Sequence, residues 1–369
     1  MEVIKMRETI LIISNVSNGL YLFRRELIER LVKEYNVEVL AGDTGSVEKL
    51  RQMGCKITLG EIELHGTNPI KELQLFQYYK KQIKRIKPKI VLTYTIKPNI
   101  YGGMACASLG IPYVANITGL GTAVEQKGLL QKTVLLLLTR GLRKSQKVFF
   151  QNTENCDFLL KNHVISGRYE VVPGSGVNLN RFPLLEYPNS ETIDFVFISR
   201  VLKEKGIDQY LDAARYIREK YPNTRFHVCG GAGEDYEKLL GKLTEKEIVE
   251  YHGKISNVVD MHRISSCTVH PTYYPEGMSN VLLESCACGR PIITTDRPGC
   301  REIVEDGVNG FVVKQQDRQD LIEKIEKFLS LDWEERKKMG LAGREKVARE
   351  FDRNIVVNKY LEEIRSVGL

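Results

Sequence analysis

The stretch CTVHPTYYPEGMSNVLLESCACGRPIITTD, residues 267–296, decides the fold of this chain. It contains two short apolar runs, CTVH and PIITT, with room between them for a loop and a helix. An apolar run without strict alternation predicts a strand covered on both faces, and a helical connection predicts that the two strands run parallel. The stretch therefore predicts one β–α–β unit of a doubly wound sheet.

The same alternation runs through most of the 369 residues. Similar apolar runs begin near residues 8, 37, 89 and 112 in the first half, and near 194, 225, 267 and 290 in the second. A chain of this length exceeds the roughly 250–300 residues that one core usually serves. We therefore predict an α/β protein with two Rossmann-like, doubly wound domains.

The boundary between these domains is predicted from composition. Residues 173–192 are rich in Pro, Gly and Asn and lie between the two series of strands. We place the first domain at residues 1–178 and the second domain at residues 179–350. A last helix, at about residues 351–369, is expected to pack back on the first domain.

Composition favours a globular protein that stays inside the cell. Hydrophobic residues make up 42 % and charged residues 27 % of the chain, no apolar run approaches the ~18 residues of a membrane span, and residues 1–14 lack a secretory cleavage site. The eight cysteines are scattered, and the Cys286–Cys288 spacing is too tight for a zinc knuckle. We expect a cytoplasmic protein with free thiols and no metal.

The first half of the chain is basic. Residues 1–180 hold 25 Lys and Arg against 15 Asp and Glu, which favours anionic partners. Residues 71–89 and 131–147 combine basic and apolar side chains, which is typical either of peripheral attachment to an anionic membrane or of ordinary domain helices with solvated lysines. A nucleic-acid-binding protein is a rival interpretation, but the interleaved aromatic platform is missing, so no nucleic-acid partner is expected.

The motif YPEGMSNVLLE, residues 274–284, carries the sharpest chemical signal. Ser279 or Asn280 can cap a helix there, and the preceding backbone amides then point outward towards a diphosphate. With continuous helix, Glu276 and Glu284 would lie about 12 Å apart, a separation suited to the two ends of an extended ligand. In isolation this spacing is more typical of two surface glutamates, and only the neighbouring motifs favour a binding site.

A second motif, SRVLKEKG at residues 199–206, follows a predicted strand. Arg200 and Lys205 can neutralise a diphosphate and stabilise a departing phosphate without a metal, although a solvated basic turn has the same sequence. Weaker signals come from the turn CGGAGE at 229–234, the strand end YHGKI at 251–255, and the loops NVSNGL at 15–20 and NITGLG at 116–121. Each of these is also compatible with a structural turn. His270 is interpreted as a packed histidine, not as a base.

Together these motifs resemble glycosyltransferase family 4, retaining enzymes of the GT-B fold. The resemblance implies two Rossmann-like domains facing each other across a cleft, with residues 1–178 as the acceptor-binding domain and residues 179–350 as the nucleotide-sugar-binding domain. Residues 116–121 and 270–280 are similar to members that build bacterial capsule or lipid-linked oligosaccharides, including N-acetylgalactosaminyltransferases. The resemblance implies transfer of a hexose or N-acetylhexosamine from a nucleotide-diphosphate sugar, UDP by preference, to a glycan or polyprenyl-diphosphate-linked saccharide without a metal cofactor. The departure is at Asn116, where many relatives carry a histidine. A nucleotide-sugar epimerase of the same architecture is the rival enzyme.

The resemblance assigns roles residue by residue. Arg200 and Lys205 would hold the diphosphate, Glu276 the hydroxyls of the sugar and Glu284 the ribose, with Arg200, Lys205 and Glu276 catalytic. The predicted donor-binding residues are Arg200, Lys205, Gly230, Gly231, Lys254, Ile255, Glu276, Gly277, Met278, Ser279, Asn280, Val281, Glu284, Asn18 and Gly19. The predicted residues on the sugar or acceptor side are Asn116, Thr118 and Gly119.

Overall fold

The structure is a computed structural model that describes residues 7–60, 68–121, 124 and 127–367. Within this part the chain forms two α/β units. The first runs to Ser175 and resumes at Arg353, and the second spans Gly176–Asp352. The predicted linker at 173–192 contains the first of these division points.

The first unit is built on seven parallel strands in the order β3-β2-β1-β4-β5-β6-β7. The strands are β1 (Thr9–Val16), β2 (Asn36–Gly42), β3 (Lys56–Leu59), β4 (Ile90–Tyr94), β5 (Tyr113–Ile117), β6 (Lys147–Phe150) and β7 (Tyr169–Val171). The helices are α1 (Ser17–Phe23), α2 (Arg25–Glu34), α3 (Val47–Gln52), α4 (Pro69–Ile86), α5 (Gly103–Leu109), α6 (Leu129–Leu142), α7 (Thr153–Lys161) and the last helix of the chain (Arg353–Ser366), with a π-helical turn at Pro98–Gly102. Every residue of β4 and β5 is buried, as expected for strands covered on both faces.

The last helix of the chain belongs to the core of the first unit. Val356, Tyr360 and Ile364 are buried in one cluster with Ile10 and Ile12 of β1. Burial of large apolar side chains is the main stabilising term here, at roughly 1.5–3 kcal/mol for each. The first unit is therefore assembled from both ends of the chain.

The second unit has six parallel strands in the order β10-β9-β8-β11-β12-β13. The strands are β8 (Ile193–Ile198), β9 (Thr224–Cys229), β10 (Glu250–Gly253), β11 (Cys267–His270), β12 (Ile292–Thr295) and β13 (Gly310–Val313). The helices are α8 (Ile207–Lys220), α9 (Glu234–Glu245), α10 (Val258–Ile264), α11 (Asn280–Ala287), α12 (Arg318–Ser330) and α13 (Trp333–Glu350), with a 3₁₀ turn at Lys203–Lys205. The Arg353–Ser366 helix of the first unit is α14.

The eight strands expected from apolar runs are all present, which confirms the prediction of two parallel α/β sheets. Strand β10 was predicted only through the strand end at 251–255, and four strands went unpredicted: β3, β6, β7 and β13. Each of the four has three or four residues. Three of the four form sheet edges.

His262 of α10 makes the stability of the second unit depend on pH. It is fully buried, neither ring nitrogen has a hydrogen-bond partner among the described residues, and burial followed by the charge of Arg290 lowers its pKa to about 3. The unfolded chain therefore binds one more proton between pH 3 and 6.5, so stability is full above pH 6.5 and falls as the pH drops. In urea titrations below pH 6.5, we expect the free energy of unfolding to fall with decreasing pH less steeply for His262→Leu than for the parent. The two slopes should differ by about 1.4 kcal/mol per pH unit. Equal slopes for the parent and the variant would contradict this.

Candidate functional site

The second sheet reverses its direction of growth between β8 and β11, which are neighbours in space although β9 and β10 separate them in the chain. Ligands of open parallel sheets bind beside such a point, at the carboxyl ends of the strands. Loops 199–206, 230–233 and 271–279 follow β8, β9 and β11. The three motifs of this unit therefore meet at one edge of its sheet.

Loops 199–206 and 271–279 are bonded to each other. The carbonyl oxygen of Glu204 accepts hydrogen bonds from Tyr273 N at 2.9 Å and from Thr272 Oγ1 at 3.3 Å. Gly206 has a φ of 80°, and a Cβ at this residue would lie 2.1 Å from the carbonyl oxygen of Pro271. Only glycine fits there, and this close contact positions the residue before it, Lys205.

The two predicted cations meet at the ring of Tyr274. Lys205 Nζ lies 4.5 Å from the ring centroid and Arg200 Cζ lies 5.8 Å from it. Lys205 is buried and also forms an ion pair with Glu276, whereas Arg200 is exposed. The site thus has one fixed, buried positive charge and one open to solvent.

Glu276 is held in its charged form. Its side chain is 12 % exposed, and Oε1 pairs with Lys205 and lies 3.6 Å from His270 Nε2. Burial raises the pKa of this carboxyl, but the interactions with His270 and Lys205 outweigh burial and lower the pKa to about 2. At neutral pH Glu276 can accept hydrogen bonds from hydroxyl groups and has no proton to donate.

Helix α11 begins at Asn280 with Ser279 as its N-cap residue, which confirms one of the two predicted caps, although the Ser279 side chain makes no capping hydrogen bond. The helix spans Asn280–Ala287, and the amide of Ser279 donates to Gly299 O at 2.8 Å. Gly299 has a φ of 84°, and a Cβ there would lie 2.7 Å from Gly277 O. The prediction that the Ser279 amide points outward is therefore wrong, because the carbonyl oxygen of Gly299, in the loop after β12, accepts its hydrogen bond. Val281 remains in the first helical turn, where N–H groups lack helical acceptors.

Two further side chains of this motif lie at the N-cap and in the second turn of α11. Ser279 Oγ is buried and has no hydrogen-bond partner among the described residues, although such groups normally have one. Glu284 is half-buried in the second turn of α11. The estimate of about 12 Å between Glu276 and Glu284 does not apply, since it assumed continuous helix from the first to the second.

The glycine turn packs on the strand end that carries Arg200. Gly230 has a φ of 151°, and a Cβ there would lie 1.7 Å from Ser199 O. Its amide donates to Gly253 O at 2.7 Å, which joins the turn to the end of β10. The predicted residues brought to this edge are Gly230, Gly231, Lys254 and Ile255.

A group of possible metal ligands surrounds Glu276. His270, Glu276 and Cys300 each offer a ligand atom, and these atoms lie within 4.8 Å of one another. The carboxylate oxygen that a metal would use already pairs with Lys205, and burial raises the pKa of the Cys300 thiol, which disfavours the thiolate. Lys205 thus supplies the positive charge at this carboxylate.

The predicted site residues of the first unit lie after β1 and β5. Asn18 is exposed in α1, and its Oδ1 accepts from Ser46 Oγ at 3.0 Å while its amide donates to Thr44 Oγ1 at 2.9 Å. Gly19 follows it in the same helix. Donor binding by these two residues stays a prediction.

The assignment of Asn116 to the sugar or acceptor side requires a side chain that faces solvent, but this side chain is buried. It is 2 % exposed, its Nδ2 donates to Thr93 O at 2.9 Å and its Oδ1 accepts from the hydroxyl of Tyr360. With both ends of the amide used internally, Asn116 holds α14 to the sheet and is not available to a ligand. Thr118 and Gly119 are half-buried just beyond β5, where contact with a sugar stays a prediction.

Three parts of the site were not identified as functional from the sequence. They are the ring of Tyr274, the imidazole of His270 and the loop around Gly299. A signal for the loop was present, since the turn Arg-Pro-Gly at 297–299 directly follows β12 at the same edge of the sheet.

Some side chains of the two basic segments, residues 71–89 and 131–147, pack or form ion pairs within the first unit. Tyr79 and Ile83 of α4 are fully buried, and Lys147 lies in β6, where its ammonium pairs with Glu170 at 2.6 Å and Glu363 at 2.8 Å. The inclusion of Lys147 in a membrane-facing surface is therefore wrong. None of the described helices is both long enough and apolar enough to cross a bilayer.

Comparisons with known proteins give matches to both units of the chain. The model for glycosyl transferases group 1 matches residues 186–346, and the glycosyl transferase 4-like model matches residues 9–152. The N,N'-diacetylbacillosaminyl-diphospho-undecaprenol alpha-1,3-N-acetylgalactosaminyltransferase of Campylobacter jejuni is 26 % identical over 95 % of this chain and 96 % of its own length. The capsular polysaccharide biosynthesis glycosyltransferase CapM of Staphylococcus aureus is 29 % identical over 43 % of this chain and 42 % of its own. Anabaena HepE, solved with UDP and glucose, shares the fold with a TM-score of 0.80 at 17 % identity, covering 97 % of this chain and 99 % of HepE.

Proposed function

Because this chain is a glycosyltransferase with the GT-B fold, we propose that it transfers a hexose or N-acetylhexosamine from a UDP-sugar to a saccharide carried on polyprenyl diphosphate. In this proposal the reaction retains the anomeric configuration, needs no metal ion and serves the synthesis of a cell-surface polysaccharide. The observation that carries it is the convergence of Arg200, Lys205 and Glu276 at one sheet edge.

The cation pair supports binding of a diphosphate without a metal. Arg200 and Lys205 meet at Tyr274, at the switch point where open α/β sheets bind nucleotides. The buried ammonium of Lys205 and the exposed guanidinium of Arg200 would stabilise the charge that develops on the departing phosphate, which is the part that a divalent ion plays in other transferases. The unpartnered Ser279 hydroxyl and the first-turn amide of Val281 suit the same diphosphate.

Glu276 supports recognition of the sugar. Its carboxylate is charged and held by Lys205, so it accepts hydrogen bonds from hydroxyls of the transferred sugar. The same ion pair makes Glu276 a weak nucleophile. We propose that the acceptor hydroxyl attacks the anomeric carbon on the face from which the diphosphate departs. The glycosidic bond forms as the carbon–oxygen bond to phosphate breaks, and the diphosphate takes the hydroxyl proton.

Relatives support the choice of donor and acceptor. The Campylobacter relative is named for transfer of N-acetylgalactosamine to a diphospho-undecaprenol-linked sugar, and it aligns with this chain over nearly its whole length. HepE, with the same fold, binds UDP. Glu284, in the second turn of α11, is proposed to hold the ribose of that nucleotide.

Product analysis tests the proposal. The purified chain, treated with EDTA, is incubated with a panel of UDP- and GDP-sugars and a short-chain polyprenyl-diphosphate saccharide, and products are identified by mass spectrometry and NMR. A longer lipid-linked saccharide with the donor's anomeric configuration supports the proposal. An isomerised free sugar supports the rival epimerase, and transfer that requires added Mg²⁺ or Mn²⁺ contradicts metal independence.

We also propose that the first unit attaches the enzyme peripherally to the inner face of the cell membrane. Leu129 and Leu130 at the start of α6 are 83 % and 49 % exposed, and Lys127 and Lys132 beside them are exposed as well. Exposed leucines next to basic side chains suit an anionic bilayer surface, where each inserted leucine adds apolar burial.

Liposome flotation checks the membrane proposal. We expect Leu129→Ser combined with Leu130→Ser to lower binding to anionic vesicles by about 10-fold or more, because two leucine side chains would no longer insert. Leu341→Ser, at an exposed leucine of the second unit, is the matched control and should float like the parent. A parent chain that stays at the bottom of the gradient at low salt would refute the attachment.

A further inference from the structure

Three possible metal ligands lie together on β9 and β10, the two outermost strands on one side of the second sheet. The proposed transfer does not use these residues. His227 belongs to β9, and Glu250 and His252 belong to β10, which pairs in parallel with β9 at the register Glu250↔His227. Residues two apart in a strand point to the same face, so Glu250 and His252 lie on the face that carries His227. The two strands therefore present all three side chains to one point.

The distances between these side chains match those between ligands of one ion. His227 Nδ1 lies 3.0 Å from His252 Nε2 and 3.4 Å from Glu250 Oε2, and the three ligand atoms lie within 4.8 Å of one another. Two ligands about 2.0–2.1 Å from a tetrahedral ion lie about 3.3 Å from each other. Only small rotations of the side chains are needed to admit an ion.

Asp194 of β8 orients His227 for this role. Its Oδ1 lies 2.9 Å from His227 Nε2, and both groups are buried. A carboxylate beside Nε2 favours the tautomer with the proton on that nitrogen, which leaves the Nδ1 lone pair directed at His252 and Glu250. A carboxylate behind a histidine in this way is the usual outer support of a metal ligand.

The ligand set selects the kind of ion. We propose that His227, Glu250 and His252 form a binding site for Zn²⁺, with water in the fourth position because Glu250 and His252 are exposed. Two imidazoles and a carboxylate suit zinc and similar transition ions better than Mg²⁺ or Ca²⁺, which prefer oxygen ligands only. Unlike the His270 group around Glu276, no lysine is paired with this carboxylate among the described residues.

Such an ion would secure the edge of the sheet. Strand β10 has four residues and, among the described strands, pairs only with β9. It ends immediately before Lys254 and Ile255, which are predicted to contact the donor. A ligand bridge between β9 and β10 would fix this end of the strand. The inference does not depend on the transfer reaction, and binding of the ion is measurable without it.

Metal binding to the untagged full-length chain tests the site. After removal of metals with EDTA, the chain is titrated with ZnCl₂ by calorimetry, and bound zinc is measured after dialysis. We expect about one ion per chain, a raised midpoint of thermal unfolding with zinc, and an affinity lowered about 100-fold in His252→Ala. Asp194→Asn should lower affinity by about 10- to 100-fold, as loss of outer support does elsewhere. His163→Ala, at an exposed histidine of the first unit, is the control and should bind like the parent.

Three outcomes would overturn the inference, and one of them comes from a measurement that separates this site from the cysteine-containing group. Co²⁺ bound by two imidazoles and a carboxylate shows weak visible bands, whereas binding to Cys300 would add an intense thiolate charge-transfer band. A parent chain that binds no zinc, or a His252→Ala variant that binds it as tightly, would refute the site. An intense thiolate band at the first equivalent would place the ion elsewhere and also refute it.

Discussion

Replacing Lys205 by alanine is expected to lower the turnover number of sugar transfer by about 100-fold or more, the scale of losing one charge-stabilising contact in a transition state. Lys205 is the buried cation of the site, and its loss also leaves the carboxylate of Glu276 without its paired ammonium. Arg200→Ala and Glu276→Ala are expected to cause losses of the same size. Glu284→Ala should mainly raise the donor concentration needed for half-maximal rate.

Steady-state kinetics with a matched control test this expectation. Lys203 is an exposed lysine two residues earlier in the same loop, and Lys203→Ala should retain the parent's rate. Because Lys205 and Glu276 act as a pair, the double alanine variant should lose less than the product of the two single losses. Full activity of Lys205→Ala or Arg200→Ala would contradict the assignment.

Replacing Gly206 by alanine is expected to destabilise the second unit and to displace Lys205. The new Cβ would lie 2.1 Å from Pro271 O, and the residue would keep a φ of 80° that only glycine adopts freely. Left-handed backbone costs about 1–2 kcal/mol for other residues, and overpacking adds about 1–3 kcal/mol. At roughly 2–4 °C per kcal/mol for a unit of this size, the midpoint of thermal unfolding should fall by about 5 °C or more.

Gly307 provides the control for backbone strain alone. Its φ is 77°, almost that of Gly206, but a Cβ there meets no atom within 4 Å. Gly307→Ala should therefore lower the midpoint by only a few degrees, since it carries the left-handed cost of about 1–2 kcal/mol without the clash. Both variants are compared by calorimetry and by transfer rate. Equal shifts in the two would show that contact with Pro271 contributes nothing.

Strands β4, β5 and β8 in the interior of the sheets were predictable because burial on both faces gives them apolar runs. Two of the strands that escaped prediction are short edge strands. β7 and β13 need only a few apolar residues, because an edge strand has one neighbour to pair with. Pairing with a distant strand defines them, and a short local window contains no sign of that partner.

Site residues were predictable where their chemistry is local. Arg200, Lys205 and Glu276 stand out because charged side chains in loops that follow apolar strands have few other structural uses. Asn116 shows the opposite case. Its place after β5 resembles a ligand site, yet its side chain binds the hydroxyl of Tyr360, 244 residues later in the chain. A polar residue at a strand end can satisfy its hydrogen bonds inward or outward, and only the packed neighbours decide which.

The sequence by itself determined that the chain forms two parallel α/β sheets and that three charged residues follow their strands, because strand burial and loop position are encoded within short windows. Only the tertiary structure decided that Lys205 pairs with Glu276, that Gly299 takes up the Ser279 amide, and that His227, Glu250 and His252 gather at one edge. The physical reason is that each of these contacts joins different strands or loops. Their formation depends on strand order and register, which arise from packing the whole sheet.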